Sequence, residues 1–276
     1  MYIFKTIFDL KNYLEPFRSN GFVPTMGALH EGHIALLNQS KKENELSGVS
    51  IFVNPTQFNN KNDFDKYPIT IEKDIEMLLE ANCDYLFLPS VSEMYPNGLN
   101  EIKKYDLGKL NDTLEGEFRP GHFDGVCTIV EKLLHAVTPN KLYMGEKDFQ
   151  QCMVVKRLLE LSSLPVNLII YPTLRDDDGL AKSSRNVRLS MEARMKANTI
   201  FTCLKYIQGN QKNTCFEELK KECLSILKKN GFETEYLVLA KSNSLQVISD
   251  FDFTEDMVVL IASKLDGVRL IDNMRM

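Results

Sequence analysis

Three of the four histidines in this 276-residue chain lie in glycine-bearing turns: His30 and His33 in PTMGALHEGH, and His122 in RPGHFDG. Imidazoles spaced i, i+3 beside a glycine and a helix start can present ring N–H groups, together with backbone amides, to a phosphate. Such donors also stabilise charge that develops on a phosphoryl group during its transfer. A zinc reading of the same residues would need a third ligand and HExxH spacing on a helix, which His30-Glu31-Gly32-His33 lacks. Turn histidines without a chemical role are the plain alternative for this segment taken alone. The fourth histidine, His135, falls on an amphipathic helix and reads as structural.

Other segments carry donors of the same kind. RDDDGLAKSSRN holds Lys182, Ser183, Ser184 and Arg185, suited to phosphate oxygens but without the order of a P-loop. A solvated charged linker is its other reading. GEKDFQQ sets Lys147 and Asp148, then Gln150 and Gln151, at a predicted strand-to-helix turn, where open α/β sheets bind ligands. Asp148 as a plain helix cap is the alternative there, and both can hold. Gln57 of FVNPTQF stands just past a strand end, and Arg119 of RPGHF is either an anion clamp or a solvated arginine. All five segments follow predicted strand ends or open loops, so one crevice can gather them.

The elements that must position these residues alternate. Ile7, Leu10, Tyr13, Leu14 and Phe17 recur at helical spacing until Gly21, and FVPT then reads as a first strand. An amphipathic run from Ile34 to about Leu46 leads into VSIFVNP, a buried strand, which makes a βαβ unit with HEGH at its turn. Thr70 is the expected N-cap of IEKDIEMLLEANC, with the strand DYLFLP behind it. The long stretch NDTLEGEFRPGHFDG suits a functional loop. Helix GVCTIVEKLLHAV, strand KLYMG, helix FQQCMVVKRLLELSS and strand PVNLIIYP complete a parallel α/β sheet over residues 1–171. After Pro172 come helices near 191–208 and 215–229, then short strands around EYLVLA, DMVVLIAS and VRLID, so residues 172–276 read as a smaller α+β domain.

Composition narrows the class. With 43% apolar and 26% charged residues and a formal net charge of −5, the chain is neither disordered, collagen-like nor a general nucleic-acid binder. Its six cysteines are scattered with no CxxC pair, which suits reduced thiols. The first residues lack a signal-peptide pattern, and no run approaches the roughly 20 apolar residues of a membrane helix. A cytoplasmic location without membrane attachment is therefore expected.

PTMGALHEGH, FVNPTQF, RPGHF, GEKDFQQ and DGLA-SSRN, in this order and spacing, resemble the pantoate–beta-alanine ligase family, and VRLIDN is similar to the family's ending. HEGH by itself resembles the wider HIGH-type nucleotidyltransferases. The resemblance implies a Rossmann-like nucleotide- and pantoate-binding domain over 1–171 and an α+β lid over 172–276. It implies a homodimer that joins pantoate to beta-alanine, consuming ATP with Mg2+ and releasing AMP and diphosphate through a pantoyl adenylate. It also places ATP on Met26, Gly27, Ala28, Leu29, His30, Glu31, Gly32 and His33. Gly145, Glu146, Lys147, Asp148, Leu174, Lys182, Ser183, Ser184 and Arg185 belong to the same ATP set, with His33, His30, Lys147 and Arg185 in catalytic roles. Gln57 and Gln151 match residues that bind pantoate, Gln57 also serving beta-alanine, and Arg119 matches a loop arginine near the active site. No residue is assigned to hold metal. Lys182 stands where the family usually has methionine, and YPIT replaces YPRT at Ile69. An adenylyltransferase acting on another small substrate, a metal-dependent hydrolase and a non-enzymatic nucleotide-binding module are the other functions compatible with parts of this pattern.

Overall fold

In the computed structural model, which describes residues 1–58, 64–65, 67–100 and 102–276, the apolar runs of the first half form parallel strands. Two compact units result, one of Met1–Glu146 with Gln150–Pro172 and one of Lys147–Phe149 with Thr173–Met276. In chain order the first carries β1 (Tyr2–Phe4), α1 (Ile7–Leu14), β2 (Asn20–Thr25), α2 (Glu31–Glu43), β3 (Leu46–Ile51) and α3 (Ile71–Glu80). There follow β4 (Tyr85–Phe87), α4 (Val91–Met94), α5 (Glu115–Phe118), α6 (His122–Val137), β5 (Lys141–Gly145), α7 (Phe149–Ser162) and β6 (Asn167–Tyr171). Among the described residues the strands form one sheet in the order β1-β4-β3-β2-β5-β6, every pairing parallel.

That order sets the place of the chemistry. The chain winds from β2 through β3 toward β4, then returns to the other side of β2 with β5 and β6, so the winding reverses between β2 and β5. In open α/β sheets the crevice at the carboxyl ends of such strands is where ligands bind. Val23, Leu36, Leu37, Val49, Ile51, Leu78, Leu86 and Tyr143 pack into a core that fixes β2 against α2 and α3. β3 is buried along its whole length, which is why its sequence shows no alternation.

Several boundaries differ from the sequence reading. Leu46 opens β3 instead of closing α2, which ends at Glu43 with Asn44 as an extended C-cap. Gly21 is not the stop of α1 but a residue of β2. A Cβ there would lie 2.1 Å from the Ser40 hydroxyl, so glycine lets α2 settle on the strand. β1 escaped periodicity because it is only three residues long. Helix α6 begins at His122, before the expected glycine, with Gly121 at φ +78° as its N-cap.

The second unit packs α8 (Met191–Ala197), α9 (Thr199–Asn210) and α10 (Phe216–Lys229) with β7 (Glu233–Lys241), β8 (Val247–Ile248), β9 (Met257–Leu265) and β10 (Val268–Arg275). The strands form an antiparallel sheet in the order β10-β9-β7-β8. One expected helix is two, because Asn198 is both C-cap of α8 and N-cap of α9. Ile200, Leu204, Ile207, Leu219, Leu227, Val259 and Ile261 form the centre of this unit's core.

Candidate active site

The turn after β2 is built to hold a fixed shape. Gly27 (φ +79°) and Ala28 (φ +50°) are both left-handed, and the Gly27 amide donates to Thr25 Oγ1 at 3.1 Å. The amides of Ala28 and Leu29 donate to the two oxygens of Asp74 at 2.9 and 2.8 Å. Helix α2 then starts with a reciprocal histidine cap. The Gly32 amide donates to His30 Nδ1 at 3.1 Å, and the His30 amide donates to His33 Nδ1 at 3.2 Å. An Nδ1 that accepts leaves the proton of a neutral imidazole on Nε2. The two rings, 4.1 Å apart, therefore both carry Nε2–H donors at a helix N-terminus, where amides and dipole favour an anion.

A second group of residues joins the ends of β2 and β3. Gln57, buried on the short 3-10 turn after β3, donates from Nε2 to the Met26 sulfur at 2.7 Å and accepts from Asn54 Nδ2 at 3.2 Å. Asn54 Nδ2 also reaches the Gly125 carbonyl, and Tyr95 donates its hydroxyl proton to Asn54 Oδ1 at 2.7 Å. His122 is buried here. Arg119 Nη1 lies 3.0 Å from His122 Nε2, and guanidinium can only donate, so His122 accepts at Nε2 and donates from Nδ1 to the Gln57 carbonyl at 2.8 Å. Gln57, His122 and Arg119 thus form one relay. Close approach makes it possible: a Cβ on Gly125 would sit 2.4 Å from the Thr56 carbonyl oxygen.

The neighbouring glutamines of α7 have different surroundings. Gln150 is buried, accepting from the Glu115 amide at 3.0 Å and donating to the carbonyls of Leu110 and Thr113, which pins the long glycine-bearing loop. Gln151 is half-buried on the same turn. Gly145 ends β5, its carbonyl accepting from the Cys152 thiol, and Glu146 opens the following 3-10 turn. Ile69 is 71% exposed, and His135 lies on α6 with its side chain in solvent.

In the second unit, RDDDGLAKSSRN forms a tight hairpin. Arg175 bridges Ala181, the Lys182 amide donates to the Leu174 carbonyl at 2.9 Å, and Gly179 turns the chain at φ +93° against the Phe201 ring. Two of its acidic residues are paired, one of them within the hairpin and both with α8: Asp176 accepts from Lys182 Nζ at 2.6 Å and from Arg194 at 2.9 Å, while Asp178 accepts from Arg194 at 2.6 Å. Arg194 thereby holds the Asp178 carboxyl below the usual range. Ser183 Oγ accepts from the Arg185 amide, and Ser184 is half-buried beside it. Arg175 anchors the hairpin to β10 with two bonds to Asp272, at 2.6 and 2.9 Å, and stacks on Phe201. Lys147 and Asp148 are 3.6 Å apart; Asn273 donates to the Lys147 carbonyl, and the Arg275 guanidinium lies over the Phe149 ring.

A parallel α/β sheet with HEGH at its switch point is the arrangement of the HIGH-type nucleotidyltransferase class. The family model described as Pantoate-beta-alanine ligase matches residues 2–275. A pantothenate synthetase of Cytophaga hutchinsonii is 44% identical over 93% of this chain and 91% of its own, and one of Porphyromonas gingivalis is 42% identical over 100% and 99%. The crystal structure of pantothenate synthetase from Thermus thermophilus superposes with a TM-score of 0.93 at 38% identity, covering 99% of both chains. That of the Francisella tularensis ligase, complexed with beta-gamma ATP and beta-alanine, gives 0.83 at 37%, covering 99% of this chain and 97% of its own. The chain belongs to the pantoate-beta-alanine ligase family.

Sequence reasoning did not find Asp74, one of two acidic residues in the first turn of α3, nor the role of His122 between Gln57 and Arg119. Both are tied to partners far away in sequence.

Proposed function

We propose that this chain condenses pantoate with beta-alanine at the expense of ATP, by way of a pantoyl adenylate. The observation that carries this reading is the reciprocal cap of His30 and His33, which fixes two Nε2–H donors at the N-terminus of α2 beside the sheet's switch point.

In the first half-reaction a pantoate carboxylate oxygen attacks the α-phosphorus, the bond to the bridging oxygen breaks and diphosphate leaves. Like charges meet, so the donors must tighten on the phosphates as the transition state forms. His30 and His33 supply two, with His33 as the main contributor, and the turn of Met26, Gly27, Ala28 and Leu29 with Glu31 and Gly32 shapes their cradle. Gly145 and Glu146 line the nucleotide. Lys147 and Arg185, with Ser183 and Ser184, add positive charge and hydroxyl donors; Asp148 serves the ribose or adenine side and Leu174 the base. Lys182 adds a further cation for the triphosphate, in exchange for its bond to Asp176. Gln57 and Gln151 hold pantoate, and Arg119 steadies the anion.

In the second half-reaction the amine of beta-alanine attacks the acyl carbon and AMP departs. An aliphatic ammonium titrates near about 10, so the amine loses its proton to solvent before attack. ATP enters as its magnesium complex, with the ion held by phosphates and water.

A homodimer in the cytoplasm is part of the proposal. None of the six cysteines is in a disulfide and five are buried, and no helix among the described residues is long and apolar enough to cross a membrane. The test is an AMP-release assay with each substrate omitted in turn. Release should require pantoate, ATP and beta-alanine together for turnover, and ATP–diphosphate exchange should require pantoate alone. AMP release indifferent to either acid would overturn the assignment.

A further inference from the structure

Asp74 lies on the first turn of α3, 1% exposed, and takes no part in the chemistry described above. Its carboxylate is the meeting point of three donors: the Ala28 amide on Oδ2 at 2.9 Å, and on Oδ1 the Leu29 amide at 2.8 Å and the Thr70 hydroxyl at 3.0 Å. Thr70 occupies the N-cap position of α3 but spends its hydroxyl on Asp74, making no side-chain cap bond. The amides that Asp74 holds belong to the left-handed turn between β2 and the histidine cap, and Ala28 has a Cβ that opposes φ +50°. A non-glycine residue keeps such a conformation only where its surroundings over-determine it. Here the Gly27 amide bond to Thr25 Oγ1 and the burial of Leu29 hold the two ends of the turn, and the Asp74 carboxylate binds the amides of Ala28 and Leu29; charge-assisted bonds of this kind are among the strongest available. The Gly27 position shows how closely it is seated, since a Cβ there would meet Asp74 Oδ2 at 3.0 Å.

We propose that Asp74 is a positioning residue for ATP: it fixes the Met26–Leu29 turn, and through it the register in which His30 and His33 present their Nε2–H donors. This inference rests on the reading that Met26–His33 holds ATP. All three donors point at the side chain, so the position needs a group that only accepts. Asparagine matches its shape but turns an NH2 toward one of the backbone amides, which undoes the clamp without opening a cavity.

The experiment compares the KM for ATP and the KM for pantoate in the whole enzyme carrying Asp74→Asn, with His33→Ala alongside. The ATP KM should rise at least about threefold more than the pantoate KM, since a donor set displaced by a fraction of an ångström loses its phosphates first. A smaller differential overturns the inference. His33→Ala separates the two readings: if it leaves ATP kinetics intact, the turn is not an ATP site. If His33→Ala is impaired while Asp74→Asn shows no differential, positioning by Asp74 alone is wrong. Should Asp74→Asn fail to fold, Thr70→Val frees the carboxylate from one donor, and the same comparison decides with a threshold of about twofold.

Discussion

Removing the guanidinium of Arg175 while keeping its bulk, as Arg175→Met does, should be among the most damaging single changes to the second unit. Arg175 makes two bonds to Asp272, donates to the carbonyls of Gly179 at 3.1 Å and Asn273 at 3.3 Å, and stacks on Phe201 at 4.4 Å. The Asp272 side chain is 3% exposed, so without Arg175 it is a buried carboxylate left with the Asn273 amide at 2.8 Å. Breaking one partner of a buried pair costs about 3–5 kcal/mol, which at about 2–4 °C per kcal/mol in a chain of this size lowers Tm by about 6–20 °C. The loss depends on pH with a definite sign. Burial raises the Asp272 carboxyl above the ordinary aspartate range against the pull of Arg175, and it rises further once that pull is gone. An acid raised on folding destabilises as pH climbs through its unfolded value, and the effect is complete above its folded value, so the deficit shrinks on acidification. Thermal unfolding of wild type and variant at about pH 7.5 and about pH 5 reads this directly. Arg175→Met with Asp272→Leu should recover most of the loss, because replacing both charges leaves neither stranded. A single-variant deficit below about 1 kcal/mol, or one unchanged between the two pH values, would refute the reasoning.

Three further outcomes follow from the geometry. Lys182→Met should raise the ATP KM or lower kcat, whereas unchanged values would assign Lys182 solely to its bond with Asp176. Gly125→Ala puts a methyl 2.4 Å from the Thr56 carbonyl and 2.8 Å from Gln57 Cα. It should cost about 1–3 kcal/mol in unfolding and raise the pantoate KM, as differential scanning and initial rates would show. Glu43, hydrogen-bonded to Lys141, Gln39 and Tyr143, is lowered to about 2, so it stabilises above its ordinary value and loses that effect as pH falls toward 2. Glu43→Gln should therefore lower Tm at neutral pH and converge with wild type in strong acid.

The strands KLYMG and NLIIY and the turn HEGH were legible because their signals are local: apolar runs, a glycine, and histidines three apart. The tautomers of His30 and His33 were not, since they depend on which backbone amide meets which ring nitrogen. Asp74 and His122 were hidden for a related reason. Asp74 acts 46 and 45 residues away, on Ala28 and Leu29, and His122 acts 65 residues away on Gln57, distances that periodicity does not sense. The acidic run before Gly179 read as a solvated linker in one account. Instead Asp176 and Asp178 close on Lys182 and Arg194, and the Arg194 pairings follow only once α8 is folded beside them. Even the negative total charge was uninformative about ligands, because it is a sum over the whole chain while the donors of the His30–His33 cap are local.

The three residues Lys147–Phe149 belong to the second unit although the chain on both sides belongs to the first. Their partners, Asn273 and Arg275, sit at the extreme end of the sequence. During synthesis this segment must wait for a further 126 residues before its carbonyl finds the Asn273 amide. Asn273 and Arg275 thus act as a latch: replacing them would leave the strands in place and yet the Lys147 turn unfastened.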